Sequence, residues 1–218
     1  GLYLLPGLIN GHFHLESSLL APAEYARLAL AHGTTTVILD PHEIANVLGL
    51  PGIQALLDSC KDLPLDYFFM APSCVPATSL ETAGAFIPPI EVEKLLQNKR
   101  VLGLAEMMNY PGVLRKDPEV LKKIQAAQKR GKAVDGHAPL LSGKDLNAYI
   151  AAGNESDHEC TSRGEAEEKI RLGMWLMIRQ GSAAKNLRDL LPAITLQNKN
   201  RSLFVLDDLE ACDLILQG

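Results

Sequence analysis

Short apolar runs rich in β-branched and aromatic residues alternate along this chain with longer stretches of helical period. The pattern predicts strands over residues 2–9, 34–39, 65–71 and 101–105, with shorter ones at 133–135, 155–157, 174–178 and 202–206. Helical segments lie between them. One, over 23–32, follows Pro22 at a first helical position, and three others, over 119–130, 144–152 and 165–172, end at Gly131, Gly153 and Gly173. Eight strands separated by helices suit either an open doubly wound sheet or a closed (β/α)8 barrel, and periodicity does not separate the two.

The placement of polar residues does. His12 and His14, His42, Ser73, Glu106, His137, His158, Arg179 and Asp207 each fall at or just after a different strand. A barrel spreads its chemistry over the C-terminal ends of many strands, whereas an open sheet gathers it at one switch point, often with a glycine-rich phosphate loop. No such loop occurs here. The expected fold is therefore α/β, a TIM-like (β/α)8 barrel. The chain begins without Met inside an apolar run and stops at Gly218 on the approach to a helix, so residues 1–218 read as one truncated barrel domain, a fragment of a longer protein lacking the last helix.

Composition changes this picture little. Of 218 residues, 47% are apolar and 22% charged, ordinary for a globular protein. A net charge of −5 provides no basic footprint for nucleic acid. No apolar run is long enough to cross a bilayer and no signal peptide opens the chain, so no membrane partner is expected. Cys60, Cys74, Cys160 and Cys212 are scattered and form no CxxC pair, which fits a reduced, cytoplasmic protein.

Five of the six histidines sit at strand ends; His32, on the last turn of a helix, complements the helix dipole instead. His12 and His14 stand two residues apart on extended chain, so their side chains leave the same face and can grip one ion. His137 and His158 close two later strands. Imidazole binds zinc, manganese and iron alike, so the donors do not select the metal. Glu106 ends the fourth strand, where an unpaired buried charge would be costly and bridging two cations would remove the cost. Asp207 ends the eighth and is placed to exchange protons beside the metals, with Glu159 next to His158 as the other candidate acid/base. Ser17, His42, Glu43 and Ser73 are candidate substrate contacts.

Residues 6–14 (Pro-Gly-Leu-Ile-Asn-Gly-His-Phe-His) resemble the first strand of the amidohydrolase superfamily. The blocks 15–18 (Leu-Glu-Ser-Ser), 33–36 (Gly-Thr-Thr-Thr), 40–47 (Asp-Pro-His-Glu-Ile-Ala-Asn-Val), 72–78 and 103–112 narrow the likeness to its adenine deaminase family. Blocks 135–139 (Asp-Gly-His-Ala-Pro), 142–147, 156–161 (Ser-Asp-His-Glu-Cys-Thr) and 179–184 extend it over nearly the whole chain. The resemblance implies a binuclear site that converts adenine and water to hypoxanthine and ammonia. His12 and His14 would hold one ion, His137 and His158 the other, and Glu106 would bridge them, with Asp207 as general acid/base and weak ligand. Manganese is the expected metal, with Fe2+ or Zn2+ as substitutes, and the small-molecule partner is a purine. A homodimer is the assembly the resemblance allows. An accessory β domain is expected to be absent from this chain.

A glutamate rather than a carboxylated lysine at the fourth strand counts against a hydantoinase or dihydroorotase. At the eighth strand the family pattern Thr-Asp-Asp-Arg-His is replaced by Leu206-Asp207-Asp208-Leu209-Glu210, which keeps the first Asp and loses its polar followers. Two alternatives follow: another amidohydrolase acting on a different amine or cyclic amide, and a metal- or purine-binding barrel without catalysis.

Overall fold

The computed structural model describes residues 2–218. Eight strands form: β1 (Leu8–Phe13), β2 (Thr34–Leu39), β3 (Asp66–Ala71), β4 (Val101–Met107), β5 (Ala133–Gly136), β6 (Ser156–Asp157), β7 (Trp175–Arg179) and β8 (Ser202–Val205). All pair in parallel, β1 to β5 in one sheet and β6 to β8 in another. Backbone hydrogen bonds join the two sheets at both edges. At one, Glu155 N donates to Val134 O at 3.0 Å. At the other, Asp207 N donates to His12 O and His14 N to Asp207 O, each at 3.1 Å. The sheet thus closes on itself as an eight-stranded parallel barrel.

Among the described residues nine α-helices lie outside it: α1 (Pro22–Ala31), α2 (His42–Ser59), α3 (Pro89–Leu95), α4 (Tyr110–Leu114), α5 (Pro118–Gln128), α6 (Gly143–Ala151), α7 (Arg163–Arg171), α8 (Leu187–Leu190) and α9 (Ala211–Gln217). The long α2 escapes the sequence pattern because Gly49, at φ 61°, and Pro51 break its helical period. The first strand differs from expectation too. It starts at Leu8, whose N–H donates to Gly33 O at 2.9 Å, and runs through His12 to Phe13, while Leu2 to Leu5 lie exposed outside any strand. Apolar character alone does not make a strand where no neighbour satisfies its backbone. After β8 the described residues form the seven-residue α9, whose Leu214 is buried in the core.

Alternation along β1 sorts its side chains. His12 points into the barrel, while Phe13, fully buried, faces α1 and stacks on Tyr25 with ring centroids 4.7 Å apart. Val37, Leu39, Phe69, Leu104 and Val134 join Phe13 in the core that the helices cover, with Ile53, Ile124 and Leu146 from the helix side. No helix among the described residues is long and apolar enough to cross a membrane.

The β5–β6 edge tolerates no side chain at Gly136, where a Cβ would lie 2.1 Å from the Ser156 carbonyl oxygen. Gly136→Ala must push β5 and β6 apart, and overpacking of this kind costs about 1–3 kcal/mol. Thermal unfolding should therefore show a lowered Tm for the variant. An unchanged Tm would mean that this edge is not tightly closed.

Candidate metal centre

Six side chains from five strand ends converge inside the C-terminal mouth of the barrel. His12, His14, Glu106, His158 and Asp207 are buried there, and His137 sits at the opening with its side chain 27% exposed. The Nε2 atoms of His12 and His14 are 3.2 Å apart, and Asp207 Oδ1 lies 3.4 Å from the first and 3.2 Å from the second. Glu106 faces two ways. Its Oε1 is 3.5 Å from His14 Nε2, and its Oε2 is 2.5 Å from His137 Nδ1 and 3.1 Å from His158 Nε2. The His12 and His158 rings stack at 4.1 Å between the two halves.

Backbone and second carboxylates aim these rings. His14 Nδ1 donates to the Asp40 carbonyl oxygen at 3.0 Å, which leaves Nε2 for the cluster. His12 Nδ1 lies 2.9 Å from Asp135 Oδ2, and Asp135 is itself anchored by Ser156 Oγ at 2.6 Å and Gly136 N at 2.8 Å. Arg179 donates to Asp207 Oδ2 at 3.0 Å and to Glu159 Oε1. Asp207 has a positive φ of 61°, uncommon for a residue with a side chain although Asp tolerates it, and its two backbone bonds to β1 hold it there.

The charge balance of this pocket calls for cations. Asp40, Glu106, Asp135 and Asp207 are buried carboxylates, and Arg179 is the one permanent cation hydrogen-bonded to any of them among the described residues. Burial alone would push the acids toward neutrality and strip protons from the imidazoles. The mutual contacts win instead. Hydrogen bonds from His12 and His14 outweigh burial and hold the Asp207 carboxyl far below its usual range, while His137 and His158 lower Glu106. The same contacts, chiefly with Asp207, raise the His14 imidazole to about 10, and Asp135 and Asp207 raise His12. Imidazole nitrogens and carboxylate oxygens thus face one another at distances where a divalent cation could stand between them. Two donors of one such ion, each about 2.1 Å from it, are separated by about 3.0–3.4 Å, which the His12–His14 pair satisfies. His158 Nδ1 is buried with no hydrogen-bond partner among the described residues. The donor set therefore fits divalent metal.

The remaining sequence candidates separate. His42, first residue of α2, joins the cluster, with Nδ1 3.3 Å from Glu106 Oε1 and 3.2 Å from Asp40 Oδ2. Glu159 reaches it as well, 3.4 Å from His158 Nε2. Ser17 and Glu43 pair with each other at 3.1 Å, and Ser17 also donates to Asp208. Ser73 is turned away: its hydroxyl donates to the Glu106 carbonyl oxygen at 2.5 Å and is 2% exposed. The buried partners Asp40 and Asp135 were not legible as site residues. Asp135 stands two residues before His137 on one strand, the single local hint it offers. Past Asp207, Leu209 is buried in the core and Glu210 stands exposed at the first position before α9, so of the residues departing from the family pattern Leu209 is used for packing.

A parallel barrel with this ring of donors defines a metal-dependent hydrolase type of site, and the amidohydrolase family matches residues 3–205. The chain belongs to the amidohydrolase family. Over all 218 residues it is 58% identical to an adenine deaminase of Dehalococcoides mccartyi and 54% identical to one of Desulfatibacillum aliphaticivorans. The chain spans 38% of the length of each of these curated relatives. Among solved structures it is similar to a β-aspartyl dipeptidase of Fervidobacterium islandicum AW-1, with TM-score 0.59, 15% identity, and coverage of 92% of this chain and 58% of that one. A mutant atrazine chlorohydrolase of Arthrobacter aurescens TC1, solved with zinc and atraton, matches with TM-score 0.56 and 18% identity over 93% of this chain and 60% of that one. These two likenesses concern the fold.

Groups that orient metal ligands typically contribute about 10–100-fold to metal affinity. Asp135→Asn should therefore weaken divalent-metal binding on that scale in an isothermal titration. Wild-type affinity in the variant would remove Asp135 from the centre.

Proposed function

We propose that a protein of the relatives' full length built on this chain catalyses the hydrolytic deamination of adenine to hypoxanthine and ammonia. One observation carries the reading: Glu106 directs one carboxylate oxygen toward His14 and the other toward His137 and His158. That is the arrangement needed to join two cation sites in a chain whose relatives bear the name adenine deaminase. We assign His12 and His14, with Asp207 as a weak ligand, to one ion, His137 and His158 to the other, and Glu106 to both. Manganese is the ion we favour; Fe2+ and Zn2+ suit the same donors. When bound, the cations supply positive charge that makes water nucleophilic near neutral pH.

The rest of the chemistry falls to side chains. Water must add its oxygen to the amino-bearing ring carbon and lose a proton, and the carbon–nitrogen bond must break with a proton delivered to the departing amine. Asp207 is ionised at neutral pH, because its imidazole partners hold its carboxyl low, and can accept the first proton and return it. Arg179 fixes its second oxygen and so limits its rotation. Glu159, held by the same guanidinium and facing His137 at 3.7 Å, is the second candidate for the shuttle. His42 lies close enough to the cluster to contact a bound purine, whereas Ser17, Glu43 and Asp208 form a neighbouring polar group that shapes the rim. We place the activity in the cytoplasm, in purine salvage, in keeping with the acidic net charge and the free thiols.

The test is ammonia release from adenine by the full-length, manganese-loaded protein. No release from adenine together with turnover of another purine or a cyclic amide would favour a different amidohydrolase. Asp207→Asn should lower turnover about 10²–10⁴-fold while most metal remains, the usual worth of general acid–base catalysis. Asp208→Asn should be milder, since its carboxylate bonds Ser17 rather than the histidines. The reverse order would move the proton shuttle to Asp208.

A further inference from the structure

Behind the His137–His158 half of the centre lies a buried ion-pair network that the chemistry above does not use. Asp157, the last residue of β6, is fully buried immediately before His158. Its Oδ1 accepts from Ala138 N at 2.7 Å. Its Oδ2 accepts from Glu159 N at 3.1 Å, Cys160 Sγ at 3.3 Å and Lys169 Nζ at 2.9 Å. Lys169, on α7 and 1% exposed, has three N–H donors and three acceptors: Asp157, Glu165 Oε1 at 2.8 Å and the Ala138 carbonyl oxygen at 2.7 Å. Glu165 in turn accepts from Leu140 N at 2.8 Å and Thr161 N at 3.2 Å. Leu140 has a positive φ of 60°, a strained conformation for a branched side chain that this bond helps to hold.

We propose that Asp157, Lys169 and Glu165 are positioning residues that clamp the loop after His137 to the loop after His158 and thereby set the second metal-binding half. Both backbone polar groups of Ala138, the neighbour of His137, end on this network, as do the N–H groups of Glu159 and Thr161, which flank His158 on its C-terminal side. Fold stability is a poor reason for such an arrangement. A buried ion pair recovers little beyond its desolvation, and apolar replacements of equal volume are often as stable. A pair whose acceptors and donors all terminate on two ligand-bearing loops has a different use: it fixes their separation. The first half needs no such device, since His12, His14 and Asp207 are held by the β8–β1 edge and by Asp135 and Asp40. The two halves therefore rest mainly on different contacts, with Arg179 reaching both through Asp207 and Glu159.

This inference rests on the reading of the site as a two-ion centre, and the experiment separates the two. Full-length protein and its Lys169→Met and Asp157→Asn variants are titrated with Mn2+ alone, with metal content measured after dialysis and electron paramagnetic resonance recorded at one and two equivalents. Wild type should hold two ions with a spin-coupled signal. The variants should keep one ion at wild-type affinity, lose about 10–100-fold in affinity for the other, and show the six-line spectrum of isolated Mn2+. Glu165→Gln, which keeps side-chain size and one acceptor oxygen, carries the test if the first two variants do not fold. Variants that retain both ions as wild type does, or weaken both equally, would overturn the clamp. A wild-type protein that takes up fewer than two ions would instead overturn the two-ion reading beneath it.

Discussion

The structure turns on the edge where β8 meets β1. Asp207 is paired through its backbone with His12 and His14, so the bonds that close the barrel also bring a carboxylate from one end of the chain against two imidazoles from the other. Closure and site assembly are one event here. A chain that failed to close would leave Asp207 and the histidines more than 190 residues apart in sequence with nothing to bring them together. The positive φ of Asp207 belongs to the same constraint, because the backbone bends there and still keeps both bonds.

Within the closed barrel the difficulty is electrostatic. Four buried carboxylates and a nearby cluster of imidazoles cannot all hold their preferred charge states in a pocket that excludes water. Close contacts between the imidazoles and the carboxylates relieve the strain, and the same donor set fits divalent metal. Glu106 stands in the middle of the cluster, with one oxygen toward His14 and the other toward His137 and His158. Strand pairing with Asp135 and Asp40 backs His12 and His14, the Asp157–Lys169 network ties the loops after His137 and His158, and Arg179 touches both sides.

The outer shell of the barrel matters to the site mostly through the loops it carries. Phe13 and Tyr25 lock β1 to α1, which fixes the direction in which the flanking histidines face. Gly136 lets β5 approach β6 closely enough for His137 and His158 to share Glu106. Ser73, polar and at a strand end, serves the opposite purpose: its hydroxyl ties the end of β3 to the carbonyl of Glu106 and so steadies that residue from behind.

Much of this was legible in the sequence because strand ends are local features. Apolar runs located the strands, turn glycines ended the helices, and the histidines and carboxylates following those runs named the centre. What stayed hidden was pairing across distance. Nothing near His12 indicates that Asp135, 123 positions away, orients it, and Lys169 reads as an ordinary helical charge until the fold buries it against Asp157. The extent of β1 was misread for the same reason, since residues 2–5 have the apolarity of a strand but no partner, while the polar run through His12 has one. The sequence by itself determined the alternation of strands and helices, the barrel, and which histidines and carboxylates stand at its strand ends, because these follow from local pattern and residue chemistry. The tertiary structure alone decided which donors share a pocket, which polar groups aim them and which are spent on packing, because hydrogen bonding and desolvation act between residues that only the closed barrel brings into contact.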